Sequence, residues 1–154
     1  MIEYDDKKTI KSAGAVIFRK ENGKVKYLLL KHKKRGHWGF PKGRIKKYET
    51  NNDAALREIK EETGIKNIDF LNFKKKESYS FILKNNRYDK EVTYFLAQTK
   101  NKIISISEEH LKYSWDDFEM AIKKVKKENL RQLVNKINKI LDKGEIKKSN
   151  QQEI

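Results

Sequence analysis

Cysteine is absent from the 154 residues, which excludes a disulfide framework, a thiolate zinc site and a cysteine nucleophile. Proline occurs once and glycine seven times, so each marks a particular place rather than loosening the chain. The longest apolar runs, Ala13 to Phe18 and Tyr27 to Leu30, fall far short of the roughly 20 residues of a membrane span. The first dozen residues alternate acid and base without an apolar stretch. No secretory leader is visible in them, and a cytoplasmic setting is the default expectation. Acidic residues are few beside basic ones, 22 against 37, giving a formal charge of +15. A surface of that sign attracts polyanions such as nucleic acids, nucleotides, inositol phosphates or anionic lipid. AT-rich codon usage, which raises Lys, Asn and Ile together, is the rival source of part of the excess.

What is present is enough for one folded domain: 36% apolar and 10% aromatic residues can bury a core in a chain of this length. Ile10 to Arg19 reads as a strand buried on both faces, Asn22-Gly23 as a hairpin turn, and Val25 to Lys31 as the returning strand. His32 to Gly43 has loop chemistry. Asn51, Asn52 or Asp53 can cap a helix from Ala54 to Thr63, with Gly64 as its left-handed stop. Strands are expected at Ile68 to Phe73, Glu77 to Leu83 and Glu91 to Thr99, the last two joined by a longish loop, with Lys102 to Ile106 as an edge strand. Helices are expected from Trp115 or Asp116 to Lys126 and from Glu128 to Asp142. This order predicts an α/β sandwich with a mixed sheet over residues 10 to 143, between a polar N-terminal segment, 1 to 9, and a polar, flexible tail, 144 to 154.

The chemistry concentrates between Gly43 and Ile65, in GRIKKYETNNDAALREIKEETGI. Glu58 and Glu62 are one helical turn apart on one face, with Glu61 beside them, while Ala55 and Ile59 point the opposite way into the core. Like charges so placed repel, and a divalent cation gives them a reason to converge. An all-oxygen donor set favours Mg2+, with Mn2+ able to substitute, over zinc. Arg57 can pair with a carboxylate and fix its orientation, and Glu49 enters from the preceding loop. A solvated Glu-rich face with an ordinary Arg57–Glu61 pair is the plainer alternative. Seven fixed identities in register, each at about one in fifteen, would coincide by chance in on the order of one window in 10^8.

The pattern of Gly43, Glu49, Arg57, Glu58, Ile59, Glu61, Glu62, Gly64 and Ile65 resembles the complete signature of the Nudix hydrolases. Over Ala13 to Leu141, the stretches GAVIF, YLLL, HWGFPKG and SEEHLKYSW look like the asymmetric dinucleoside tetraphosphate hydrolases, which split diadenosine tetraphosphate into ATP and AMP. The resemblance implies a Nudix-type α/β/α sandwich, Mg2+-dependent phosphoanhydride hydrolysis, and catalytic roles for Glu58, Glu62 and Arg57. It implies metal ligation by Glu58, Glu61, Glu62 and, from outside the box, Glu109. Glu58 is the first choice of general base and Glu62 the second.

A polyphosphate bearing two bases needs cations along the chain and aromatic faces at its ends. Tyr79 and Tyr113 match the family's aromatics, and Lys42, His37 and Lys90 are the candidate phosphate contacts, with Gly43 beside Lys42. Each has a structural alternative: a tyrosine in the sheet, a solvated lysine, a histidine pinning a loop. The hairpin between Leu83 and Lys90 is longer than in the family. A nucleoside polyphosphate is thus the expected substrate and no membrane partner is expected. RNA 5′ ends, cleaved by a pyrophosphohydrolase, are the alternative that the basic charge favours. A non-catalytic nucleotide or RNA binder on the same fold is a third possibility, against which stands the intact set of box carboxylates.

Overall fold

The computed structural model describes residues 9–144 and 146–148. Most of the expected N-terminal segment and most of the expected tail lie outside the described residues. The chain runs β1 (Thr9–Glu21), β2 (Lys24–His32), β3 (Trp38–Gly39), β4 (Lys42–Arg44), α1 (Asn51–Thr63), β5 (Asp69–Leu83), β6 (Asn86–Gln98), β7 (His110–Asp116), α2 (Phe118–Lys124) and α3 (Glu128–Lys143). No described helix is long and apolar enough to cross a membrane.

The strand order is β3-β2-β1-β6-β5, with β4 on β1 and β7 on β2. β1 and β6 pair in parallel and the other pairs are antiparallel, so the sheet is mixed as expected. β1 is apolar on both sides because both of its faces are covered. Ala13, Ala15 and Ile17 pack with Ala54, Ala55 and Ile59 of α1 on one side. Val16 and Phe18 pack with Leu130, Leu133, Val134 and Ile137 of α3 on the other. This is the α/β/α sandwich.

One departure from a regular sheet creates the site. β1 and β2 pair only near their shared turn, from Phe18↔Tyr27 to Glu21↔Lys24. Farther along they part, and the intervening chain fills the gap: β3 pairs with β2 at Leu30 and Lys31, while β4 pairs with β1 from Ser12 to Gly14. Gly14 is required there, because a β-carbon on it would overlap the Pro41 carbonyl oxygen.

Several expected boundaries move. The cap of α1 is Thr50, not a residue from 51 to 53. Its hydroxyl accepts from Asp53 N at 3.0 Å and the Asp53 carboxylate accepts from Thr50 N at 3.2 Å, a reciprocal box that starts the helix three residues early. The two strands expected between 68 and 83 are one, with a register irregularity between Phe70 and Lys74. The turn after it is no long loop but two residues, Lys84 and Asn85, both at positive φ (51° and 64°), the twist that suits a tight hairpin. Lys102 to Ile106 forms no strand; Ser105 N donates to Thr63 O at 2.9 Å and Ile104 is buried against the α1 side. The strand lies later, as β7, and Trp115 and Asp116 belong to it rather than to a helix; α2 is capped instead by Asp117. At the other end, Lys148 bridges to Leu71 and Asn72 N donates to Lys147 O at 2.7 Å, so residues 147 and 148 lie along the outer edge of β5.

Candidate active site

α1 carries the carboxylates, and its two ends are firmly set: the Thr50 box at the start and Gly64, at φ 74°, at the stop. Gly43 on β4 faces Glu58 so closely that a β-carbon there would overlap the Glu58 carboxyl group. The box glycine is therefore a seat for Glu58. Next to it, Lys42 N donates to Glu62 Oε2 at 3.0 Å. The β4 backbone thus meets both glutamates of the one helical face.

Arg57 ties the rest together. Its Nε and Nη2 donate to the two oxygens of Glu49 at 2.7 and 3.0 Å, Nη2 also to Arg44 O at 2.8 Å, and Nη1 to Glu58 Oε1 at 2.7 Å. Glu49 is also held by Lys46 N at 2.7 Å. The Arg57 hydrogen bonds, followed by the Lys46 amide, pull the Glu49 carboxyl down to about 2. Glu49 is therefore the orienting anchor of Arg57, and Arg57 orients Glu58. Glu61 lies apart from the inner pair, exposed, with its carboxylate 3.3 Å from Arg57 Nη1.

Glu62 is buried, with 4% of its surface exposed, so the plainer alternative of a solvated Glu-rich face does not hold for it. Burial first, then the adjoining Glu58 carboxyl and the nearby Glu109 charge, hold its pKa well above the ordinary carboxylate range. His110 Nε2 lies 3.4 Å from Glu62 Oε1. Burial and then the neighbouring His32 lower the His110 pKa, and only the Glu109 charge opposes them. Both shifts disfavour charge, so an ion pair between the two is not favoured.

The parting of β1 and β2 lets Glu62 reach through the sheet into a cleft on the α3 side. That cleft has a volume of about 270 Å³, and Lys42, Lys90, Lys127, Glu109 and His37 line it. A second cavity of about 450 Å³ shares Lys42, Tyr94 and Lys127 with it and adds Tyr79. Lys42 is largely buried; desolvation, followed by repulsion from Lys90 and Lys127, lowers its pKa to about 8. Cations crowded together without a carboxylate for each are suited to an anion with several charges. Lys90 Nζ also lies 6.0 Å from the Tyr79 ring centroid.

The structure thus brings Glu62, Glu109, His37, Lys42 and Lys90 to one cleft, Tyr79 to the adjoining cavity, and Glu58 with Gly43 against Glu62 and Lys42 beside it. It does not place Tyr113 in the lining of either cavity; that residue lies opposite Leu30 and packs, partly buried, on the α1 side of the sheet. Lys127 and His110 were not among the expected site residues. Lys127 at the start of α3 looks like any solvated lysine, whereas His110 falls inside the SEEHLKYSW stretch and could have been found there.

Among the described residues, no three His, Asp or Glu side chains already form a cluster able to hold an ion. The donor chemistry nevertheless fits one: two carboxyls in contact, one of them driven toward its neutral form by burial and then by the other, gain most from a hard divalent cation.

Comparison with known proteins adds family evidence. A family model described as NUDIX domain matches residues 8–137. An asymmetrical bis(5′-nucleosyl)-tetraphosphatase of Caenorhabditis elegans is 35% identical over 116 residues, covering 74% of this chain and 83% of its own. The mouse protein of that name is 33% identical over 124 residues, 73% and 82% of the two chains. The mRNA-decapping enzyme subunit 2 of Saccharomyces cerevisiae is 31% identical over 133 residues, which are 81% of this chain but 12% of that one. Among solved structures, a C. elegans Ap4A hydrolase binary complex superimposes with a TM-score of 0.74 at 32% identity, covering 86% of this chain and 98% of that one.

Proposed function

The chain belongs to the NUDIX family and is a Nudix hydrolase, and from that premise we propose that it hydrolyses a phosphoanhydride of a dinucleoside tetraphosphate, with diadenosine tetraphosphate cut to ATP and AMP. The observation that carries this reading is that Glu62, in contact with Glu58, lines a cleft with Lys42, Lys90 and Lys127, and that the adjoining cavity adds the Tyr79 ring. The likeness to the asymmetrical tetraphosphatases, over most of both chains, supports it.

The lysines bind the phosphate chain, and Tyr79 offers a face to one base. Lys42 is half of a two-part contact, since its side chain faces the phosphates while its amide holds Glu62. Glu58, fixed through Oε1 by Arg57, takes the proton from the attacking water, and Glu62 is the second candidate for that step. Mg2+, with Mn2+ able to replace it, would be held by Glu58 and Glu62 with Glu109, and would supply charge neutralisation at the phosphate oxygens and acidification of bound water. Glu61, turned toward Arg57, would have to swing to join them. The water oxygen ends on one phosphorus and the anhydride oxygen leaves with the other product.

RNA 5′ pyrophosphohydrolysis is the second reading, favoured by the +15 charge and the likeness to a decapping enzyme subunit. A panel of diadenosine tetraphosphate, 5′-triphosphorylated RNA and nucleoside triphosphates, with Mg2+, separates the two. Highest kcat/KM on the dinucleotide is expected; faster pyrophosphate release from RNA would replace the first reading with the second.

A further inference from the structure

The β5–β6 hairpin continues well past the cleft. Beyond Tyr79↔Lys90, whose side chains line the cavities, come four more cross-strand pairs, Ser80↔Asp89, Phe81↔Tyr88, Ile82↔Arg87 and Leu83↔Asn86. Side chains alternate between the two faces of a strand pair. Tyr79, Phe81, Leu83, Tyr88 and Lys90 therefore share the face that continues outward from Val92 and Tyr94 in the cleft.

The two faces of this arm differ in kind. On the far face the polar groups satisfy one another: Lys76 and Glu91 at 3.5 Å, Arg87 Nε and Asp89 at 3.4 Å, and Ser80 Oγ donating to Asp89 at 2.6 Å. On the cleft face the rings run in a row. Tyr79 and Phe81 have centroids 6.4 Å apart, and Phe81 and Tyr88 lie 5.3 Å apart at an 18° angle. Tyr79 is 45% exposed and Leu83 55%, at the two ends of the row, while Phe81 and Tyr88 between them are half-buried and stacked on each other.

A cross-strand ring pair can do no more than hold a hairpin. Two features go further. The row starts inside a cleft whose cations face phosphates, and it leads away in one direction, at about 6.6 Å per two strand residues. Rings set along a sheet beside basic side chains form the kind of surface on which unpaired bases stack, whatever their sequence. Glu77, at the inner end of the same face, is the acidic neighbour of this row, and Lys90 stands between it and the arm.

We propose that Phe81 and Tyr88 form a stacking platform for single-stranded RNA whose 5′ phosphates occupy the cleft. This rests on the cleft being a nucleoside polyphosphate site. It makes the arm a second binding element that free nucleotides are too short to reach.

The test is direct binding to the full chain. In EDTA, to stop turnover, fluorescence anisotropy would follow 3′-labelled, 5′-triphosphorylated RNAs of one to ten nucleotides. Affinity of the unaltered protein should climb over the first three or four nucleotides and then level off. In the double variant Phe81→Leu, Tyr88→Leu, which keeps an apolar cross-strand pair without π faces, the decamer should bind tenfold or more weakly. The KM for diadenosine tetraphosphate should stay within twofold, and Phe81→Trp should retain decamer binding. Two results would overturn the platform: a decamer bound no better than a mononucleotide by the unaltered protein, or decamer affinity equal in the double variant. If no nucleoside polyphosphate is hydrolysed, the reading of the cleft fails, while a loss of decamer binding in the double variant would still uphold the arm.

Discussion

Glu62 is a carboxyl held out of water beside a second carboxyl, an arrangement that costs folding energy and serves only chemistry. Its pKa is raised in the fold, so between the unfolded value and the folded one the native state holds the extra proton, and stability falls as pH rises through that window. Glu62→Gln should therefore leave the Tm in EDTA at neutral pH unchanged or higher while kcat drops by several orders of magnitude. Glu58→Gln should lose kcat similarly. Thermal melts and steady-state rates on the two variants check this, and near-normal kcat in either would remove that residue from the mechanism. Lys42 gives the pH dependence. With its pKa lowered to about 8, it loses charge as pH rises through that value, so kcat/KM for a polyphosphate should fall above pH 8. Lys42→Arg should move that limb to higher pH, as a pH–rate profile would show. At this scale the sequence indicated which residues would gather better than it indicated how they meet. Spacing alone aligns Glu58 with Glu62, but nothing in it says that Gly43 is the seat of Glu58. Nor does it say that Glu62 is buried, because the parting of β1 and β2 that lets it through the sheet is a long-range feature.

α1 is the element that sets the site, and its start is a capping box that can be weakened without touching the cleft. Thr50→Ala should cost about 1 kcal/mol, lowering Tm by roughly 2–4 °C in a domain of this size, with kcat/KM within about threefold of the unaltered enzyme. A large loss of activity with unchanged Tm would mean that the cap positions Glu49 or Arg57 as well. The elements with local signals were legible: β1 and β2 around Asn22-Gly23, the body of α1 up to Gly64, and α3 with its apolar stripe. The failures have different causes. Lys74 to Lys76 look like a break, yet an edge strand open to water accepts lysines, which also blunt the edge. β7 does alternate, Leu111, Tyr113 and Trp115 against Lys112, Ser114 and Asp116, so its strand signal stood in the sequence and went unread; its pairing with β2 over Tyr27–His32 fixes its place. Lys102 to Ile106 is the more apolar segment but packs Ile104 against the α1 side and pairs with no described strand.

Across the whole molecule, the excess of basic charge is not spread evenly. Lys42, Lys90 and Lys127 gather at the cleft, and Lys31, Lys112 and Lys124 surround the Trp38 ring at its wall, at 5.9, 5.7 and 4.5 Å from the ring centroid. Lys42, Lys90 and Lys127 line the cleft that Glu62 joins, while Arg57 holds Glu58 from the Glu49 loop, so a polyphosphate bound as proposed would meet carboxylates already fixed in place. A displacement of about 1 Å at the reacting phosphorus can cost 10^2-fold in rate, so such a site should attack one phosphorus nearly exclusively. The most direct measurement is the hydrolysis of diadenosine tetraphosphate with Mg2+ in H2 18O, followed by mass spectrometry of the products. ATP and AMP, with the label in one product of the pair and turnover abolished by EDTA, is the predicted result; two ADP, or label shared between both products, would contradict it.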